Sequence, residues 1–180
     1  MVLSKNMQKL VAGSSTIRKL FEEGIELAKE VGAENVYDFS LGNPAAPVPE
    51  EVKKSIYDIL ENRNANFVHC YMPNAGYPEV REKVAENLNK KYNSSFTKDD
   101  IIMTVGAAGG INCVLRSLLE PEDEVLCFAP FFGEYNSYVM NFGGNLKVVP
   151  ADYETFQLNV EEADKYITER TKAVIITQED

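Results

Sequence analysis

The sequence predicts an α/β fold: a mostly parallel sheet covered by helices. Three observations predict it. From residue 101 onward, short runs rich in Val, Ile, Leu and Phe alternate with helical segments that carry apolar stripes. The runs at 125–128, 146–149 and 173–177 are short and mainly apolar, as strands covered on both faces must be. The 180 residues are 44% apolar and 26% charged, which is globular composition at the length of one domain or slightly more, enough to bury a core.

The first helix is predicted over 15–31, where Ile17, Leu20, Phe21, Ala28 and Val31 share a face around Gly24. Ser14 or Ser15 can cap its start, and Gly32 stands where such helices stop. A strand or extended segment is expected over 36–41, running into Gly42-Asn43-Pro44. Pro44, Pro47 and Pro49 make 42–49 a loop and a domain boundary. Pro49-Glu50-Glu51 opens a second helix, since Pro suits a first turn and acids there favour the helix dipole. Its expected buried stripe is Val52, Ile56, Ile59 and Leu60. A loop is predicted over 62–76, and Pro78 opens a third helix on Val80, Val84 and Leu88.

The alternation then begins. A buried strand is predicted over 101–105, and a helix over 108–119 on Ile111, Val114, Leu115 and Leu118. A strand at 125–128 precedes a helix at 131–142, which Gly143-Gly144 ends. The strand at 146–149 is followed by a helix over 159–168, with Asn159 as cap and Glu162 three residues on. The last strand is 173–177.

Composition removes several function classes. The net charge of −10 repels nucleic acid and anionic membrane. No apolar run reaches the length of a membrane span, and residues 1–5 lack a secretory apolar core, so a soluble, cytoplasmic protein is expected. Cys70, Cys113 and Cys127 form no Cys-x-x-Cys pair, which argues against zinc and disulfides and for buried, reduced thiols. His69 is the only histidine and no Gly-x-Ser-x-Gly elbow exists, so a Ser-His-Asp triad has no support.

Two segments carry candidate chemistry. Val105-Gly106-Ala107-Ala108-Gly109-Gly110 lies between a predicted strand and a helix. Small residues there let a ligand approach the backbone, and the helix start offers free N–H groups to a phosphate. The same residues also suit a tight strand–helix turn with no ligand. The segment is no P-loop, because no Lys-Ser/Thr follows, and its glycine spacing differs from Gly-x-Gly-x-x-Gly. The second segment, Ala129-Pro130-Phe131-Phe132-Gly133-Glu134-Tyr135, also follows a strand. Its rings can stack on a flat heterocycle or pack beneath the helix. In open α/β sheets, ligands bind beyond the carboxyl ends of strands, where both segments fall.

In this order the motifs resemble the class I/II aminotransferases, pyridoxal-phosphate enzymes of fold type I. Leu41-Gly42-Asn43-Pro44 resembles the family's Gly-x-Pro segment near the substrate carboxylate. The segment Tyr71-Met72-Pro73-Asn74-Ala75-Gly76-Tyr77-Pro78-Glu79-Val80-Arg81 resembles its Tyr-x-x-x-x-Gly-x-x-x-Leu-Arg motif. Gly106-Ala107-Ala108 resembles its phosphate turn, and Pro130-Phe131-Phe132 with Tyr135 resembles the motif that stacks on the cofactor. The resemblance implies that Gly106, Ala107 and Ala108 hold the phosphate of pyridoxal 5'-phosphate through the backbone. It implies Phe132 against the pyridine ring, and Tyr71 reaching the phosphate of a neighbouring subunit in a homodimer. It implies Gly42 at the substrate carboxylate, with an amino acid and a 2-oxo acid as substrates.

The resemblance further implies an N-terminal arm and small-domain segment over 1–46 and a cofactor-binding large domain over 47–180. That domain is expected to be truncated before the Schiff-base lysine, since the family's Asn-Asn-Pro-Thr/Ser-Gly segment should begin where Glu179-Asp180 stand. Lys172, at the start of the last strand, is no substitute. The alternative reading is a non-catalytic remnant or a phosphate-ligand-binding or interaction module.

Overall fold

The computed structural model describes residues 2–4, 7–8, 11, 16–39, 42, 46–152, 154–155 and 157–177. The chain divides into two compact units, Met1–Cys70 and Tyr71–Asp180.

In the first unit, helix α1 spans Thr16–Val31. Phe21, Gly24 and Ala28 of its predicted stripe are half-buried, while Leu20 and Val31 are exposed. The proposed caps Ser14 and Ser15 lie outside the described residues, as does the Ile17 side chain. A 3-10 turn follows at Ala33–Asn35, and Val36 is extended, but 36–39 form no strand; 40 and 41 lie outside the described residues. Helix α2 runs over Glu50–Asn62, with Pro49 before it and Glu50 and Glu51 in its first turn. Its stripe corrects the expectation: Val52, Ile56, Ile59 and Leu60 are all exposed. The expected 62–76 loop contains one more helical turn, α3 at Ala65–Val68, started by Asn64, whose side chain accepts from the Asn66 N–H at 2.8 Å.

The second unit begins with helix α4, Pro78–Tyr92, which closes on Asn93 in the left-handed region. Ala85 is its buried residue, and Val84 and Leu88 are half-buried beside it. A 3-10 turn at Lys98–Asp100 is held by a capping box. The Thr97 hydroxyl accepts from the Asp99 N–H, and the Asp100 carboxylate accepts from the Thr97 N–H at 2.8 Å. Those bonds from Thr97 hold the Asp100 carboxyl below the usual carboxylate range.

The sheet follows: β1 (Glu124–Phe128), β2 (Asn145–Val149) and β3 (Thr171–Ile175), all parallel in the order β2-β1-β3. Helix α5, Gly106–Leu118, precedes β1, and α6, Glu134–Met140, joins β1 to β2. A 3-10 segment at Val160–Lys165 lies between β2 and β3.

Side chains alternate across a strand, so β1 feeds two cores. On one face Val125 packs with Leu115 and Leu119 and with Val139 of α6, and Ile111, Ala173 and Ile175 border them. On the other face Leu126 and Phe128 pack with Val149 and with Ala163 of the 3-10 segment. Every residue of β1 is buried, as the centre of a doubly covered parallel sheet requires. Each fully buried Leu or Val contributes about 1.5–3 kcal/mol relative to exposure. Glu124, at the strand's start, is buried but paired. It accepts from the Thr168 hydroxyl at 2.6 Å and faces Lys147 at 3.2 Å. The Thr168 bond above all, with Lys147 helping, holds its carboxyl below the usual range.

In the second unit the last strand sits two residues earlier than expected, at Thr171–Ile175, and three further elements change. Residues 101–105 form no strand: Ile101 is extended, Val105 lies in a bend, and Ile102 and Val105 are exposed. A strand needs a ladder partner, and the Met103 N–H is instead bonded to the Ala75 carbonyl at 3.0 Å. The 131–142 helix shortens to α6, with 131–133 as a loop around Gly133, a weak helix former. The 159–168 helix is the 3-10 segment. Its cap is as expected: the Asn159 side chain accepts from the Glu162 N–H at 3.3 Å.

Candidate active site

The turn into α5 is built by its sequence. Gly106 has a φ of +68°, which a side chain makes unfavourable, and open space lies where its Cβ would stand. The Thr104 hydroxyl donates to the Gly106 carbonyl at 3.1 Å, and the Gly106 N–H donates back to the Thr104 carbonyl at 3.1 Å. Val105 is the cap residue, and no side chain caps the helix. In an α-helix the first N–H groups have no intrahelical carbonyl. With Gly106 bonded to Thr104, the groups left pointing outward at the helix start are those of Ala107 and Ala108, both exposed. No acid lies in the first turn, so nothing there opposes an anion at the positive end of the dipole.

Beside the turn lies a groove of about 590 Å³. The first turns of α5 line one wall with Ala107, Gly110, Ile111 and Val114, and Tyr135 and the end of β3 line the other. The Tyr135 hydroxyl lies 3.0 Å from that of Thr177, just beyond β3. Phe132 meets the Tyr135 ring edge-on, with centroids 5.7 Å apart and planes at 81°, and remains 50% exposed. An exposed ring held by a second ring at the carboxyl end of a strand offers a face for a flat ligand. The groove is apolar apart from a few convergent hydroxyls and amides, as small-molecule sites are.

The structure therefore gathers the Gly106-Ala107-Ala108 turn and the Phe132 segment at one end of the sheet. Tyr71 does not line the groove. Tyr71 is fully exposed at the start of the second unit. Gly42 is exposed in the first unit, and its motif neighbours Leu41, Asn43 and Pro44 lie outside the described residues.

Thr177, expected only as the end of the last strand, lines the groove just beyond β3. Its position at the carboxyl end of a strand, on the ligand side, was the available signal. The residues lining the groove include no lysine. Lys172 is exposed at the opposite end of β3, in the register irregularity between Glu124 and Val125. Cys127 is buried, and burial pushes its thiol up to about 11, so it is neutral and unreactive near pH 7. Cys70 and Cys113 are exposed, correcting the expectation that all three thiols are buried.

Comparison with known proteins agrees with this geometry. The family model for aminotransferase class I and II matches residues 33–178. The chain is 36% identical over 164 residues to an aspartate aminotransferase of Pyrococcus abyssi, covering 90% of this chain and 40% of that protein. It is 36% identical over 179 residues to aromatic-amino-acid aminotransferase 2 of Thermococcus litoralis, covering 98% of this chain and 43% of the relative. Among solved structures, an aminotransferase from Eubacterium rectale superposes with a TM-score of 0.91 at 38% identity, covering 98% of this chain and 44% of that one. The aspartate aminotransferase of Thermus thermophilus with maleate gives 0.80 at 29% identity. The chain thus spans well under half the length of the relatives it matches. A family match over most of its residues, joined to a shared fold, shows that this chain belongs to the class I and II aminotransferases.

Proposed function

We propose that this chain forms the N-terminal part of an aminotransferase that moves an amino group between an amino acid and a 2-oxo acid through pyridoxal 5'-phosphate. The carrying observation is the turn into α5, where the Ala107 and Ala108 N–H groups have no intrahelical carbonyl and Ala107 lines a groove together with Tyr135, whose ring Phe132 meets edge-on. The residues present fit the cofactor: two free amides at a helix N-terminus suit a phosphate, and an exposed aromatic face suits a pyridine ring.

When bound, pyridoxal phosphate supplies the electron sink of the reaction. The chain's residues hold and orient it. The Gly106 turn and the Ala107 and Ala108 amides take the phosphate, and the α5 dipole adds about half a positive charge there. Phe132 lies against the ring and keeps water from that face. Tyr135, fixed by Thr177 and by the edge of Phe132, limits where the ring can lie. Tyr71 reaches the phosphate site of a second copy, so the working unit is a homodimer. The Gly42 backbone meets the substrate carboxylate. In this reading 1–46 are the arm and small-domain segment and 47–180 belong to the large domain. The protein works in the cytoplasm; among the described residues no helix is long and apolar enough to cross a membrane.

A second reading is a binding module without transaminase activity; the groove lining includes no lysine, which both readings accommodate. Amino-group exchange between amino acids and 2-oxo acids separates the two. The 180-residue chain is expected to show no turnover above free cofactor, and a full-length version is expected to turn over. A full-length version that binds the cofactor but never turns over would leave the second reading standing.

A further inference from the structure

We propose that Arg81 is a positioning residue that fixes the Tyr71 loop against the segment leading into the Gly106 turn. The proposal rests on the role assigned to Tyr71 above. Arg81 sits in the first turn of α4, and its side chain is only 12% exposed. Its guanidinium reaches carbonyls on two separate segments. Nε donates to the Gly76 carbonyl at 3.3 Å, and Nη1 donates to the Lys98 carbonyl at 2.5 Å, with the Ile101 carbonyl at 3.5 Å. The Asp99 carboxylate lies 3.8 Å from Nη1.

Gly76 belongs to the loop that starts at Tyr71, and its N–H closes that loop on the Pro73 carbonyl at 2.8 Å. Lys98 and Ile101 belong to the stretch that enters α5 at Gly106. The two stretches also touch directly. The Met103 N–H donates to the Ala75 carbonyl at 3.0 Å, and the Met103 side chain lies against the backbone of Gly76. A Cβ on Gly76 would fall 2.5 Å from Met103 Cγ, and its φ is +95°, so this approach needs glycine. One planar fork thus ties the Tyr71 loop to the stretch that leads into the Gly106 turn. Guanidinium suits this task, because it is always charged and presents several fixed donors. A lysine ammonium is a point donor and does not span both segments.

The test is hydrogen exchange on the 180-residue chain. Arg81→Met is expected to speed exchange of the Met103 and Gly76 amides by about tenfold or more, while Val125 and Leu126 in β1 keep their original rates. Arg81→Lys, which keeps the charge and loses the fork, is expected to recover only part of the protection. Tyr71→Phe is expected to leave these amides unchanged. In a full-length version, Arg81→Met and Tyr71→Phe are expected to weaken pyridoxal phosphate binding by similar factors, and the double variant by no more than the larger. Unchanged Met103 exchange in Arg81→Met overturns the proposal. So does acceleration shared equally by β1, full rescue by Arg81→Lys, or an affinity loss fully additive to that of Tyr71→Phe. If Tyr71→Phe leaves affinity unchanged, the role of Tyr71 falls, and the Met103 amide still decides whether Arg81 holds the two segments together.

Discussion

The hydroxyl of Tyr135 lies 3.0 Å from that of Thr177, across 42 residues of sequence. It joins the first turn of α6 to the chain just past β3, and so closes the groove beside the Gly106 turn. Removing it is expected to loosen that wall more than the fold. Tyr135→Phe keeps the ring against Phe132 and loses the bond, at a cost of about 0.5–1.5 kcal/mol. Denaturant unfolding should show a small drop in midpoint at unchanged slope. An unaltered midpoint would mean that water serves the hydroxyl equally well.

Phe132→Ala is expected to weaken cofactor retention in a full-length version. A lost ring contact is worth on the order of 1 kcal/mol, or about fivefold in affinity, with lost packing on Tyr135 in addition. Cofactor absorbance followed through dialysis measures it. Retention equal to the parent protein would leave Phe132 a packing residue and no more.

Cys127 should report the integrity of the sheet through pH. Its folded thiol titrates near 11, raised by burial from an ordinary value of 9.0. The folded state therefore holds the proton more tightly than the unfolded chain. Stability from this group is complete below pH 9.0, and it declines as pH rises through about 11. Unfolding measured from pH 8 upward should show that decline, and Cys127→Ala should flatten it. At pH 8, thiol reagents should label Cys70 and Cys113 well before Cys127. Equal labelling rates would show that β1 opens readily.

Much of the second unit was legible in the sequence, because its signals are local. Val125, Leu126, Cys127 and Phe128 form an apolar run with no polar break, rich enough in strand formers and short enough to suit a strand covered on both faces. The Asn159 cap and the small residues from Gly106 to Gly110 declare helix starts by their own chemistry. What the sequence concealed depends on partners. Ile101 to Val105 reads as a strand, yet among the described residues no ladder forms on it, and Arg81 and Ala75 take its backbone groups instead. The stripe of α2 is apolar at helical spacing, but periodicity identifies a face without showing what covers it. At the site, the small residues of the Gly106 turn are legible by their own chemistry and Phe132 by its place after β1, although the stretch before Gly106 forms no strand. The Tyr135–Thr177 contact joins residues too distant for any pattern to pair.

Cofactor binding by this chain turns on whether the amides of Ala107 and Ala108 take a phosphate. The direct measurement is the amide spectrum of isotope-labelled chain during titration with pyridoxal 5'-phosphate, with pyridoxal and inorganic phosphate as separate arms. Pyridoxal phosphate is expected to shift the Ala107 and Ala108 amides together with Phe132, inorganic phosphate to shift the two amides alone, and pyridoxal to leave them still. Shifts spread over surface lysines, with Ala107 and Ala108 unmoved by either phosphate, would contradict cofactor binding at this turn.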